Sequence, residues 1–153
     1  MGQLCDFFIA PNDAAAAITI DWVGGPAAER ERSGGYPTVS IHGLESTMLT
    51  GKLEVVITGR TFDDVLATSS NELVAMRDDG EGAVMRLTSA LEDALNELAE
   101  DRLAQVADAW AAPDSYWGFD LDLDLALTLL TALVGLVRDA RSRGWSTYAW
   151  VCV

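Results

Sequence analysis

At 153 residues, half of them apolar and 22% charged, the chain has the size and composition of one globular domain able to bury its own core. Its 24 acids against 10 bases give a net charge of −14 and a pI near 4.1. Such a field repels phosphate backbones and anionic membranes, so the sequence points away from nucleic-acid and membrane binding and toward basic partners. The acids are also concentrated. The stretch from Glu72 to Asp124 holds 14 of them against Arg77, Arg86 and Arg102, a local balance of −11 that predicts one negative flank.

Residues 4–10 (LCDFFIA) are rich in aromatic and apolar types and stop before Pro11, which predicts a first strand. Asn12 or Asp13 offers an N-cap to a short helix through AAAAITIDW, closed by Gly24-Gly25-Pro26. Residues 24–37 mix glycine, proline and alternating charge and read as a surface loop, followed by a strand over 38–42 (TVSIH). From Glu45 to Arg60, Leu49, Leu53 and Val56 recur at i, i+4, i+7, and Gly59 supplies a stop, so a helix is preferred over the strand that LEVVIT alone suggests. Thr61-Phe-Asp-Asp-Val-Leu reads as a further helical turn capped by the threonine.

ELVAMR and AVMRLT, joined by DDGEG, predict a hairpin within 72–88. Ser89 and Glu92 form a capping box for a helix carrying Leu91, Leu95 and Leu98. Leu103, Val106 and Trp110 are out of phase with that set, so a break is expected near Glu100-Asp101. After the aromatic loop 113–119, the longest helix is expected over Asp120 to Arg143. Its acidic start and basic end complement the helix dipole. Its middle, Leu125 to Val137, is apolar on every face and reads as a buried spine. At 13 residues and about 20 Å it falls short of a membrane span. Gly144 closes it, and WSTYAWVCV reads as a final interior strand. The expected fold is therefore α+β, a single domain over 1–153 with about five strands packed against several helices.

Taken together, several features resemble the YfbM-type family of small bacterial proteins, whose function is uncharacterised. They are the Met1-Gly2 start leading into an aromatic strand, the Leu53…Thr58-Gly59 end of a mid-chain helix, Leu87-Thr88 before a helical pair, and a long helix through Arg138–Gly144 into a closing strand. Nine arginines against the single Lys52 suggest an actinobacterial type. The chain departs from that pattern by lacking a long acidic-aromatic mid-loop and by a richer aromatic C-terminus. What the resemblance implies is an α+β fold with a mixed sheet, and no activity.

Chemistry-bearing residues are few. Cys5 and His42 are the one available nucleophile-and-base pair, and the first two strands could bring them together in a pocket. Burial in an apolar strand would instead leave the thiol inert. Cys152 is the only other cysteine, too little for a disulfide framework. The N-terminus lacks a basic signal region, and Asp6 stands where a myristoylation signal wants Ser or Thr, so a cytoplasmic location is expected. One histidine and two distant cysteines make zinc unfavourable, and Asp120, Asp122 and Asp124 lack the glycine and glutamate of a calcium loop. No cofactor is indicated. Tyr116 and Trp117, framed by Asp114, Asp120 and Asp124, form a candidate protein-binding spot. The favoured expectation is a non-enzymatic interaction domain that covers a basic protein partner as immunity or antitoxin-like inhibitors do, or that self-associates. The alternative is a small-molecule-binding or hydrolytic domain with a pocket near Cys5 and His42.

Overall fold

The computed structural model describes residues 3–69, 73–113 and 121–153. Among these, five strands form one sheet in the order β2-β1-β5-β4-β3: β1 (Leu4–Ala10), β2 (Thr38–His42), β3 (Leu73–Met76), β4 (Gly82–Arg86) and β5 (Ser146–Cys152). Seven α-helices accompany them: α1 (Asp13–Ile18), α2 (Gly25–Ser33), α3 (Ser46–Thr58), α4 (Phe62–Ser69), α5 (Ser89–Glu97), α6 (Leu103–Ala111) and α7 (Leu123–Arg143). The α+β class, the five strands and the long C-terminal helix match the sequence expectation.

The sheet is antiparallel at every pairing, not mixed. The cause is the path of α7. Arg138 donates to the carbonyls of Asn96 and Leu98 at the end of α5, and Arg141 pairs with Asp93 midway along it. The long helix thus retraces α5 and returns the chain to where β4 ended. There Leu87 donates to the Thr147 carbonyl at 3.0 Å, and β5 runs back along β4.

Strand β5 lies third of five, with β1 and β4 on either side, and both faces of this centre are covered. On one face Cys5, Phe7, Ile9, Ala149 and Val151 pack against leucines of α3, α5 and α7 and against Trp110 of α6. On the other, Phe8, Ala10, Val84, Tyr148 and Trp150 meet Ala16 of α1, with Ile20 and Tyr36 packed on them. Burial of both parities explains why 4–10 and 146–152 are apolar almost throughout rather than alternating. Tyr36 anchors this second layer. It stacks on Phe8 and Trp22, with ring centroids 6.2 and 5.7 Å away, and meets Trp145 edge-on at 5.9 Å.

Two local expectations change. Residues 25–33, read as loop, form α2. Gly24 and Gly34 adopt left-handed backbone at its two ends, Pro26 fits its first turn, and Ala27-Ala28 are strong helix formers. A carboxylate far away in sequence completes its start: Asp6, buried on β1, accepts from the Ala27 N–H at 2.9 Å and from the Ser40 hydroxyl at 2.6 Å. The cap of α5 is Thr88 rather than Ser89; its hydroxyl accepts from Leu91 N–H at 3.1 Å.

Helix α7 is buried along one stripe, not all round. Ala126, Leu129, Leu130, Leu133, Val134 and Val137 face the core, while Leu123, Leu125 and Leu127 are 40–49% exposed. At 21 residues the helix is about 30 Å long, and its first turns present these leucines to solvent.

The start of α2 is a tight backbone approach. Gly25 has φ +79°, and a Cβ there would lie 2.7 Å from Trp150 Cε3 and 2.8 Å from Asp6 Oδ2. Gly25→Ala is expected to destabilise by about 3 kcal/mol, from left-handed strain plus overpacking. Gly34→Ala, with open space around it at φ +84°, should cost only about 1 kcal/mol. Urea midpoints of the two variants check the difference; equal costs would show that the contact on Trp150 is unimportant.

Candidate functional site

The strand register separates the sequence-derived Cys–His pair. Cys5 lies opposite Ile41 and His42 opposite Leu4, and successive residues of a strand point to opposite faces. Cys5 is fully buried on the helical face, whereas His42 is exposed on the other. Burial pushes the Cys5 thiol up to about 12, the neighbouring Asp6 charge adds to this, and the Ser46 hydroxyl only partly opposes it. A thiol held protonated and out of reach of its base is not a nucleophile. In the native protein only Cys152, half-buried at the end of the central strand, should react with a thiol reagent, and Cys5 only after denaturant is added. Two fast-reacting thiols under native conditions would contradict this burial.

A small cleft lies between α3, β4 and α5, lined by Ser46, Thr50, Glu54 and Thr88 among others, with a volume of about 40 Å³. That is room for a few water molecules and too little for a metabolite. Its carboxylate is already committed. Glu54, 1% exposed, accepts from the Thr88 hydroxyl at 2.6 Å and pairs with Arg60 at 3.1 Å. Since Thr88 also caps α5, this cluster joins α3 to α5, a structural task.

Glu92, like Asp6 and Glu54, is a buried carboxylate, at 5% exposure. Desolvation raises it to about 7, with Asp93 adding to the shift, while Arg86, a Thr147 backbone hydrogen bond and Arg141 partly offset it. Arg86 lies 3.9 Å from Glu92 and 3.6 Å from Asp13, which in turn accepts from the Tyr148 hydroxyl at 2.7 Å. Because the folded protein holds this proton more tightly than the unfolded chain, its contribution is full below pH about 4.5 and is lost as pH rises through about 7. Glu92→Gln is expected to flatten the stability profile across that window and to be more stable than the parent at pH 8, by on the order of 2 kcal/mol. Denaturant midpoints at pH 5 and pH 8 measure it, and an unchanged pH slope would refute the assignment.

The outer helical layer carries the negative flank. Glu97 of α5, Glu100 and Asp101 in the 3-10 turn before α6, Asp108 of α6, and Asp122 and Asp124 at the start of α7 are all exposed. Arg102 is the only base among the described residues of this stretch. Asp122 caps α7, accepting from Leu125 N–H at 3.2 Å. Between and after these acids stand the outward Leu123, Leu125 and Leu127. Of the proposed binding spot, Asp124 is on this surface; Asp114, Tyr116, Trp117 and Asp120 lie outside the described residues. The exposed leucines were not anticipated, although alternation of Asp and Leu over 120–125 was the available signal.

No family model matches the chain, and no curated protein does. Among solved structures, the protein of unknown function YfbM from Escherichia coli is similar at 14% identity and a TM-score of 0.41, over 98% of this chain and 99% of that one. Among the described residues no helix is long and apolar enough to cross a membrane, and no group of three or more His, Cys, Asp or Glu side chains converges as a metal site.

Proposed function

We propose that the chain is a non-enzymatic interaction domain of the bacterial cytoplasm, YfbM-like in the sense of its sequence resemblance, which covers a basic protein partner as an immunity or antitoxin-like inhibitor does. The observation that carries this reading is that exposed leucines and acids without an ion pair among the described residues share one helical layer. Apolar side chains beside acidic ones, as Leu123 and Leu125 stand beside Asp122 and Asp124, supply both parts of an interface: a desolvated centre, and charge that steers a cationic partner. The protonated Cys5, a His42 on the opposite face of the sheet and a Glu54 engaged by Thr88 and Arg60 favour this reading over a catalytic one.

The test uses residues that cap nothing. A Glu97→Gln, Asp108→Asn, Leu125→Ser variant should keep the parent's stability within about 1 kcal/mol. It should lose about 10- to 100-fold in affinity for a basic protein recovered from the native host. Binding by the parent should weaken steeply with salt. Salt-independent capture, or equal capture by the variant, would remove this reading. A concentration-dependent increase in mass of the parent alone would assign the surface to self-association.

A further inference from the structure

The side of the sheet opposite the acidic helices carries a groove of about 260 Å³ that the interaction reading does not use. Its floor is formed by Leu4, Trp150 and Cys152 of β1 and β5, and its wall by Ile20, Trp22 and Val23. Two charges of opposite sign line it: Asp21 and Arg77. A second depression of about 360 Å³ shares Ile20, Asp21 and Arg77, so the groove continues past both charges.

The parts of this groove are positioned by specific contacts. The Arg77 stem crosses Gly82, where a Cβ would meet its Cδ at 2.6 Å, so the missing side chain at 82 lets the guanidinium reach over β4 to Cys152. Once there it is poorly engaged: Asp79 is 4.0 Å from Nε and the Cys152 sulfur 4.0 Å from Nη1. A guanidinium has five N–H donors in a planar fork suited to a carboxylate, and these contacts satisfy little of it. Asp21 is exposed and has no ion-pair partner among the described residues. Trp22 is held by its stacking on Tyr36, and the indole N–H of Trp150 finds no acceptor among the described residues.

We propose that this groove binds a small zwitterion with an apolar body, the chemistry of a free aromatic or branched amino acid. Arg77 takes the carboxylate, Asp21 the ammonium, and the tryptophan-lined wall the hydrocarbon. A simple organic anion would enter against a net charge of −14, whereas a zwitterion is neutral overall and meets both local charges. The volume lies near the lower end for small-molecule sites and suits one amino acid rather than a nucleotide.

Cys152 supplies a built-in reporter, since Cys5 is fully buried. With L-phenylalanine as probe, the indole N–H signals of Trp22 and Trp150 should shift, and alkylation of Cys152 by iodoacetamide should slow about tenfold near saturation. Arg77→Ala and Asp21→Asn, both surface changes whose folding is checked from the same spectra, should each weaken binding about tenfold. Phenethylamine and 3-phenylpropionate, each lacking one charge, should bind about tenfold more weakly than phenylalanine. The proposal is overturned if phenylalanine, leucine and tryptophan give neither shift nor protection at about 10 mM. It is equally overturned if both substitutions leave binding unchanged, or if either single-charge analogue binds as tightly as the amino acid.

Discussion

The placement of β5 between β1 and β4 is the constraint from which the rest of the molecule follows. A central antiparallel pair with no solvent-facing side has to be apolar at every position and dressed by helices on both faces, and the chain supplies two unequal coverings. The larger core joins α3, α5, α6 and α7 to Phe7, Ile9 and Val151, while the smaller gathers α1 and Tyr36 around Phe8 and Tyr148. Because the last strand completes the sheet, neither covering has its full floor until the C-terminal segment has docked. The sheet's long-range pairings, such as Leu4 with Cys152, are the ones whose loop-closure cost is highest.

Buried polar groups sit at the joints between elements. Asp6 ties β1 to α2 and β2, Glu54 ties α3 to Arg60 and the cap of α5, and Trp110 donates to the Leu49 carbonyl at 3.0 Å to hold α6 against α3. Each carboxylate is nearly solvent-free, so removing one partner would leave a desolvated charge rather than lose one modest hydrogen bond. Such ties fix which helix meets which strand, a choice that leucine packing alone leaves loosely determined.

What the sequence made legible follows from how local each signal is. The strands at 4–10 and 38–42 were readable to the residue because Pro11 and Pro37 bound them, and α3 because Gly59 ends it in left-handed backbone. The helix at 25–33 was not readable. Its Glu-Arg-Glu-Arg run has no apolar stripe, and the group that completes its N-terminus is Asp6, about twenty residues upstream. The outward leucines of α7 were missed for the opposite reason. An all-apolar run looks buried whichever face it presents, and only the packing of α5 and α6 decides which stripe is covered. The separation of Cys5 from His42 depended on a one-residue register between β1 and β2, which a sequence does not display.

The acidity of the chain divides into a part that folding explains and a part that it does not. Asp13, Asp63, Asp64 and Asp124 occupy first turns of helices, where the helix dipole favours negative charge, and Arg141 and Arg143 complement the last turn of α7. These residues would be retained for stability alone. Glu97 ends α5, where the dipole opposes an anion but the attraction of Arg141 offsets it, whereas Asp108 lies inside α6 with no ion pair among the described residues. Asp108 adds to a net charge that already strains the compact state. Residues kept against local preference are where a sequence answers to something outside its own fold. Asp108 lies on the helical layer that also carries the exposed leucines and Asp124, so the acidity that folding leaves unexplained gathers where α7 is least covered.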